Sequence, residues 1–248
     1  MAVAGSQPCT DALFACHDIA LDLGGREILR GISLAIDYGE VLGVIGPNGA
    51  GKTSLFEVLS GRLAPKHGRV HLAGRDVTRL RLFERARLGI GRTYQTPVVP
   101  EELSVGDVLK GARQAYRPYR TRHRAEWACE LVGLKVDERT PATSLETLNR
   151  RKLLLACLLM REVRVLLLDE PAAGMINAEI DEFDHLIRLL SKEMNIAIAI
   201  VEHRIELLDT IADRVMVMDA GETIAHGDLS AILDDPRVHA AYFETTPA

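Results

Sequence analysis

The chain has 248 residues, enough for one large domain or for a core that carries a smaller subdomain, with a substantial buried interior. Hydrophobic residues make up 47% and charged residues 26%, and 30 basic against 35 acidic side chains leave a net charge of −5. That mild acidity excludes a general nucleic-acid binder, which carries a basic excess. The arginines gathered in RPYRTRHR (117–124) read as a solvated helix face.

Cys9, Cys16, Cys129 and Cys157 are scattered, with no C-x-x-C pair. That usage fits a reducing compartment and neither a disulfide framework nor a zinc site. MAVAGSQPCTD at the start lacks the basic and apolar regions of a secretion signal. LLLACLLM and IAIAIV, the most apolar runs, are too short to span a bilayer, so any work at a membrane requires another chain.

In chain order, the first third reads as strands and turns. FACHDIALDL (14–23) alternates loosely, GG at 24–25 marks a turn, and ILRGISLAID (28–37) alternates again. VLGVIG (41–46) is a short apolar run that ends in a glycine-rich turn and enters the helical pattern TSLFEVLSG (53–61). Strand, loop and helix together open a parallel α/β unit. GRVHLAGRDV (68–77) reads as a further hairpin strand. Between Val98 and Arg164 the pattern turns helical over SVGDVLKGARQAY, RAEWACELVGL and LNRRKLLLACLLM, with breaks at Gly133 and Pro141. The last third returns to α/β: strands over VRVLLLDE, IAIAIVEH and RVMVMDAG, helices over EIDEFDHLIRLLSKEM and RIELLDTIA. The expected organisation is a tail at 1–11, an α/β core from 12–95 and 165–235, an inserted helical block at 96–164 and a tail at 236–248.

The chemistry starts at GPNGAGKTS, which fits G-x-x-x-x-G-K-[ST] and sits between an apolar strand and a helix. Gly46, Pro47, Asn48, Gly49, Ala50 and Gly51 form a turn whose backbone N–H groups can cradle phosphates at a helix N-terminus. Lys52 then reaches the β- and γ-phosphates, the Thr53 hydroxyl binds Mg²⁺, and Ser54 completes the motif. In VLLLDEP an apolar strand ends in Asp169, placed to hold Mg²⁺, and Glu170, placed to act on a water as general base. His203, after another apolar strand, is a candidate γ-phosphate sensor, and Gln95 in GRTYQ a candidate Mg²⁺ ligand or water-orienting group.

This order of motifs resembles the ATP-binding subunit of an ABC transporter over nearly the whole chain. It is most similar to the ATPases of branched-chain (hydrophobic) amino-acid import systems, through VIGPNGAGKTSLFEVLSG, GIGRTYQ, LLLDEPAAG, VEHRIELLDTIADRVMVMDAGETIAHG and DDPRVHAAYF. The resemblance implies an α/β fold: a RecA-like P-loop core with an antiparallel β subdomain and an inserted helical subdomain. It implies ATP and Mg²⁺ as ligands, and a head-to-tail dimer docked on permease subunits at the cytoplasmic face of the bacterial inner membrane. A solute-binding protein outside the membrane would be an indirect partner. In such a dimer ATP lies between the phosphate loop of one subunit and a glycine-rich signature, usually LSGGQ, of the other.

At the signature position this chain has Leu145, Glu146, Thr147, Leu148 and Asn149, of which only the leucine matches. Glu146 replaces the serine and sets a carboxylate against phosphate. The Cβ of Leu148 is expected to hinder the close approach that glycine allows, while Thr147 is expected to cap the helix. Leu23 stands where many relatives carry an adenine-stacking aromatic, and Met175, Ile176 and Asn177 replace the start of the usual L-N-P. Two readings follow. In one, the chain pairs with a second ATPase subunit whose signature is intact, so that the composite site built on Lys52 and Glu170 hydrolyses ATP. In the other, the chain is a non-hydrolysing ATP-binding partner. A small-molecule kinase leaves Gln95, His203 and DEPAAG without a role. The apolar residues of the loop that follows Gln95 (Val98, Val99, Leu103) suit either local core or a groove for a partner helix, and the resemblance implies that they face a permease.

Overall fold

The computed structural model describes residues 12–96, 98–100 and 102–243. The expected tail at 1–11, with Cys9, and the last five residues of the expected tail at 236–248 lie outside the described residues, as do Pro97 and Glu101 of the loop after Gln95. The elements in chain order are β1 (Phe14–Leu23), β2 (Arg26–Ile36), β3 (Val41–Ile45), α1 (Lys52–Ser60), β4 (His67–Leu72), β5 (Arg75–Asp76), α2 (Leu82–Arg87) and β6 (Ile90–Arg92). Three helices follow, α3 (Val105–Gln114), α4 (Arg122–Leu131) and α5 (Thr147–Leu159). The chain then runs through β7 (Val165–Asp169), α6 (Asn177–Arg188), β8 (Ala197–Val201), α7 (Ile205–Ile211), β9 (Arg214–Asp219), β10 (Glu222–Gly227), α8 (Leu229–Leu233) and α9 (Pro236–Phe243).

Two sheets result. A small antiparallel sheet has the order β2-β1-β4-β5, and a larger one the order β10-β9-β3-β8-β7-β6. In the larger sheet β9, β3, β8, β7 and β6 are mutually parallel, and β10 closes the edge as an antiparallel hairpin with β9. The mixed α/β class read from the sequence is the one observed.

The apolar runs of the parallel strands are buried on both faces, and the period of two divides them between two cores. Val41, Ile45, Leu166, Leu168, Ile198, Ile200, Val215 and Val217 belong to one core, which continues into α3 to α8. Leu42, Val44, Val165, Leu167, Ala199, Val201, Met216 and Met218 face the other core, shared with α1 and the antiparallel sheet. Each fully buried Val, Leu or Ile contributes about 1.5–3 kcal/mol, so the register of these strands is strongly specified. Leu145, Leu148, Leu153, Leu155 and Leu159 place α5 in the first of these cores. The helical insert and the parallel sheet therefore share one continuous apolar interior.

Elements that the sequence reading did not separate are short: α2, the three-residue β6, β10, α8, and α9 within the expected tail at 236–248. Their periods are too brief to stand out from the loops around them. The arginine-rich stretch at 117–124 divides in the structure. Arg122 and Arg124 open α4 behind the cap of Thr121, whereas Arg120 precedes that helix.

α1 begins at the glycine-rich turn, and its far end is fixed by a buried cation. Arg85 of α2 is fully buried, and its guanidinium donates to the carbonyl oxygens of Val58 (2.8 Å), Leu59 (2.7 Å), Thr78 (2.8 Å) and Leu80 (3.0 Å). Val58 and Leu59 lie in the last turn of α1, where the Val58 carbonyl also accepts from the Gly61 N–H at 3.1 Å and the Leu59 carbonyl relies on Arg85. Burial pushes the Arg85 pKa down to about 10, which leaves it charged at neutral pH. Replacing Arg85 by Met would leave the Leu59, Thr78 and Leu80 carbonyls without this donor in an apolar interior. Arg85→Met is expected to lose about 3 kcal/mol of stability, since buried unsatisfied groups cost about 1–3 kcal/mol each. Thermal denaturation should show the midpoint falling by roughly 6–12 °C, and an unchanged midpoint would contradict the clamp.

Candidate functional site

Parallel strands deliver their following loops to one edge. Along β3, β8, β7 and β6, that edge carries in turn the glycine-rich turn, His203, Asp169 with Glu170, and Gln95. Ligands of open α/β sheets bind at this carboxyl edge.

The turn after β3 passes close to β9. A Cβ on Gly46 would overlap the Met218 carbonyl oxygen, and one on Gly51 (φ 99°) would lie 2.9 Å from a methyl of Leu29, so neither position accepts a side chain. Ala50 is buried against this wall, whereas Asn48 and Gly49 are exposed at the rim. Lys52 is folded into the turn, and its Nζ donates to the carbonyls of Gly46 (2.7 Å) and Pro47 (3.0 Å). Burial lowers its pKa, and the nearby carboxylates of Glu170 and Asp169 oppose that shift. Thr53 and Ser54 open the first turn of α1, with Thr53 exposed toward the same edge.

Asp169 at the end of β7 is nearly fully buried. Its Oδ2 lies 3.5 Å from Arg92 Nη2, while its Oδ1 is buried with no hydrogen-bond partner among the described residues. Arg92 at the end of β6 also holds Glu57 Oε1 of α1 at 3.0 Å and the Ser60 hydroxyl at 3.1 Å, and it packs over the Tyr94 ring. Burial raises the Asp169 pKa, and the Arg92 charge opposes the shift.

Glu170 follows in a left-handed backbone conformation (φ 46°), and its N–H donates to the Val201 carbonyl at 2.9 Å. Its carboxylate bridges two loops: Oε2 accepts from Gln95 Nε2 at 2.6 Å, and Oε1 lies 2.9 Å from His203 Nε2. Glu202, beside His203, is buried and accepts from the N–H groups of Ala172 (2.8 Å) and His203 (3.3 Å). It thereby ties the loop after β7 to the loop after β8, and burial raises its pKa.

Gln95, Lys52, Asp169, Glu170 and His203 thus meet at one edge. The LETLN residues do not join them through any side-chain hydrogen bond among the described residues. Helix α5 starts one residue earlier than a Thr147 cap requires: Glu146 occupies the cap, without a side-chain cap bond, and Thr147 is the first helical residue. Leu148 does not project as a barrier at the helix end, because it is buried in the apolar core. Glu146 is exposed, and Arg150 closes the preceding loop through the carbonyls of Thr143 (2.8 Å) and Leu145 (2.9 Å). Leu23 is exposed at the tip of β1, Met175 is buried, and Ile176 is exposed at the cap of α6. Of the apolar loop residues after Gln95, Val98 and Leu103 are exposed and Val99 is buried.

The sequence reading missed three charged residues: Arg92, Glu202 and Arg151. Arg151 carried a readable signal, since it stands three residues after Leu148 and four before Leu155, on the apolar stripe of α5. It is buried, and its guanidinium donates to the carbonyls of Tyr94, Gln95 and Glu170.

The family model described as ABC transporter matches residues 29–173. The chain belongs to that family. It is 32% identical to the high-affinity branched-chain amino acid transport ATP-binding protein LivG of Salmonella typhimurium, over 96% of this chain and 98% of LivG. It is 33% identical to the lipopolysaccharide export system ATP-binding protein LptB of Acidithiobacillus ferridurans, over 88% of this chain and 90% of LptB. A crystal structure of an ABC transporter ATP-binding cassette in its ADP conformation superposes with a TM-score of 0.85 at 26% identity, covering 93% of this chain and 98% of the cassette. This ABC subunit is accordingly an ATP-binding ATPase. Among the described residues no helix is long and apolar enough to cross a membrane.

The buried carboxylate at Asp169 has a consequence for stability. A carboxyl group whose folded pKa lies above its unfolded value binds protons more tightly in the folded chain. Stability therefore falls as pH rises from the unfolded pKa through the folded one. Without nucleotide, Asp169→Asn is expected to melt above the parent at pH 8, with the advantage shrinking as pH is lowered toward about 4. A lower melting point for the variant at pH 8 would contradict this assignment.

Proposed function

We propose that this ABC subunit binds ATP at the carboxyl edge of the parallel sheet and hydrolyses it to ADP and phosphate with Glu170 as general base. The observation that carries this reading is the Glu170 carboxylate held between Gln95 and His203, at 2.6 and 2.9 Å, on the edge that also bears the phosphate loop. Each carboxylate oxygen keeps a free lone pair after these contacts, so the group can still accept a proton from water. Lys52 exchanges the carbonyls of Gly46 and Pro47 for phosphate oxygens, and backbone N–H groups of residues 48–54 surround the phosphates. His203 faces the terminal phosphate.

The site also suits Mg²⁺, because Asp169 Oδ1 is a buried carboxylate oxygen with no hydrogen-bond partner among the described residues, on the edge that bears the exposed Thr53. Thr53, Gln95 and Asp169 would hold the cation. When bound, Mg²⁺ neutralises phosphate charge during the transfer to water.

The transport role follows from the relatives. Import of amino acids or related small polar or carboxylic solutes is supported by the likeness to LivG along nearly all of both chains, although LptB serves export. We place the subunit on permease chains at the cytoplasmic face of the bacterial inner membrane, with a solute-binding protein as indirect partner. The exposed loop residues Val98 and Leu103 contribute to the permease contact. A second ATPase subunit with an intact signature completes the site on Lys52 and Glu170. The site capped by LETLN turns over slowly, because Glu146 sets a carboxylate where a neighbour's phosphate would lie.

In the transporter assembled with its natural partner subunits, Glu170→Gln should lower the ATPase rate by at least about 100-fold, with ATP binding retained. Restoring LSGGQ at 145–149 should not be required for the parent rate. Retained activity in Glu170→Gln overturns the assignment of the base. ATP binding without phosphate release by the unmodified assembly would instead identify a non-hydrolysing partner subunit.

A further inference from the structure

Arg151 is the one basic side chain of α5 that reaches the carboxyl edge of the sheet in the described residues. It stands one turn into the helix that begins in LETLN, and its side chain is buried. Nη1 donates to the Tyr94 carbonyl at 3.2 Å, and Nη2 donates to the carbonyls of Gln95 (3.0 Å) and Glu170 (3.2 Å). The side chains of those last two residues are themselves joined, Gln95 Nε2 to Glu170 Oε2, at 2.6 Å. A single guanidinium nitrogen therefore grips the backbones of the two residues whose side chains meet at the catalytic carboxylate.

Two further facts give the grip a purpose beyond packing. Glu170 holds a left-handed backbone, which is strained for a side-chain-bearing residue and persists only where its surroundings over-determine it. Its N–H is fixed by Val201 of β8, and its carbonyl by Arg151. Among the described residues Arg151 also touches no carboxylate directly. Burial lowers its pKa, and Glu202 and Glu170 offset this from a distance. A buried cation without a contact ion pair is a costly element for stability alone. What it supplies is a rigid planar fork that a point charge such as lysine does not reproduce.

The rest of α5 makes this fork sensitive to the helix. Leu148, Leu153, Leu155 and Leu159 seat α5 in the core shared with β7 and β8. The Thr147 methyl lies near Gly174, in the loop that continues from Glu170, where a Cβ added to the glycine would meet that methyl at 3.9 Å. Displacing α5 would carry the guanidinium with it and shift the Gln95–Glu170 contact.

We infer that Arg151 is a positioning residue, which sets the Gln95–Glu170 contact and ties it to the position of helix α5. The LETLN end of α5, though it lacks glycines, is on this basis mechanically connected to the chain's own catalytic carboxylate. The inference rests on Glu170 acting as the base proposed above.

The test compares Arg151→Lys and Arg151→Met in the full chain, by two readouts. In the assembled transporter, Arg151→Met should lower kcat by about 10–100-fold, the cost of a displacement of about 1 Å in a catalytic group. The KM for ATP should stay within about twofold, and Arg151→Lys should fall between parent and Met. In the isolated full chain, amide hydrogen exchange should speed up in the segments 93–96 and 168–174 of Arg151→Met. Exchange in β3, β8 and β9 should remain at the parent level. The exchange readout does not need turnover, so it decides the positioning role even if the parent assembly proves not to hydrolyse ATP. Unchanged exchange in both segments overturns the inference, as does faster exchange spread evenly over the helical block and the sheet. In an active assembly, a raised KM with unchanged kcat overturns it as well.

Discussion

The parallel sheet is buried on both faces, and that constraint arranges everything else. β3, β7, β8 and the central part of β9 offer no polar side chain to either face within their spans, apart from Asp169 at the last position of β7. Polar chemistry is therefore confined to the strand ends and the loops that leave them. Because the strands run parallel, the loops that follow them gather at one edge, and their order along it follows strand order and not chain order. Residues 95 and 170 become neighbours through the adjacent strands β6 and β7, and 170 and 203 through β7 and β8.

Three buried arginines extend this arrangement, each suited to a different job. Arg85 satisfies carbonyls at the far end of α1 and holds the helix whose near end carries the glycine-rich turn. Arg92 joins α1 to the end of β7 through Glu57 and Asp169. Its contact with Asp169 Oδ2, at 3.5 Å, is loose compared with the 3.0 Å contact to Glu57, and the other aspartate oxygen has no hydrogen-bond partner among the described residues. Arg151 binds only carbonyls and acts on backbone position. Guanidinium serves all three because it offers five donors in a fixed plane and stays charged when buried.

How much of this could be read in the sequence depended on how local each feature is. GPNGAGKTS and the strand that precedes it are contiguous, as is VLLLDEP, so spacing alone singled out the glycine-rich turn and the carboxylates that the fold brings to one edge. His203 and Gln95 were readable as ends of apolar runs, but their meeting at Glu170 depends on strand order, which no local pattern states. Arg92 and Glu202 were missed because their partners lie on other elements. At the signature position the error was one of helix phase. Thr147 was taken as the cap, but the helix boundary lies one residue earlier, within the usual uncertainty of helix ends. The Cβ of Leu148 was expected to hinder a close approach, whereas 148, 151, 155 and 159 form one stripe in steps of three and four. That stripe turns Leu148 inward and carries Arg151 with it.

Helix phase also separates two properties that a signature segment ordinarily combines. A helix N-terminus attracts anions through its free N–H groups and its dipole. Glu146 brings an anion of this chain's own to that end, which suits the helix locally and leaves less positive potential for a neighbour's phosphate. The opposite side of the same turn is untouched by that change. Leu145 and Leu148 remain in the core, and Arg151 keeps its hold on the Gln95 and Glu170 carbonyls. Where LETLN caps a neighbour's nucleotide, as proposed, its lack of glycines weakens the attraction toward that nucleotide without releasing the helix from the chain's own carboxylate. On the function proposed, such a subunit acts chiefly on its own ATP while still passing the position of α5 to the site that hydrolyses it.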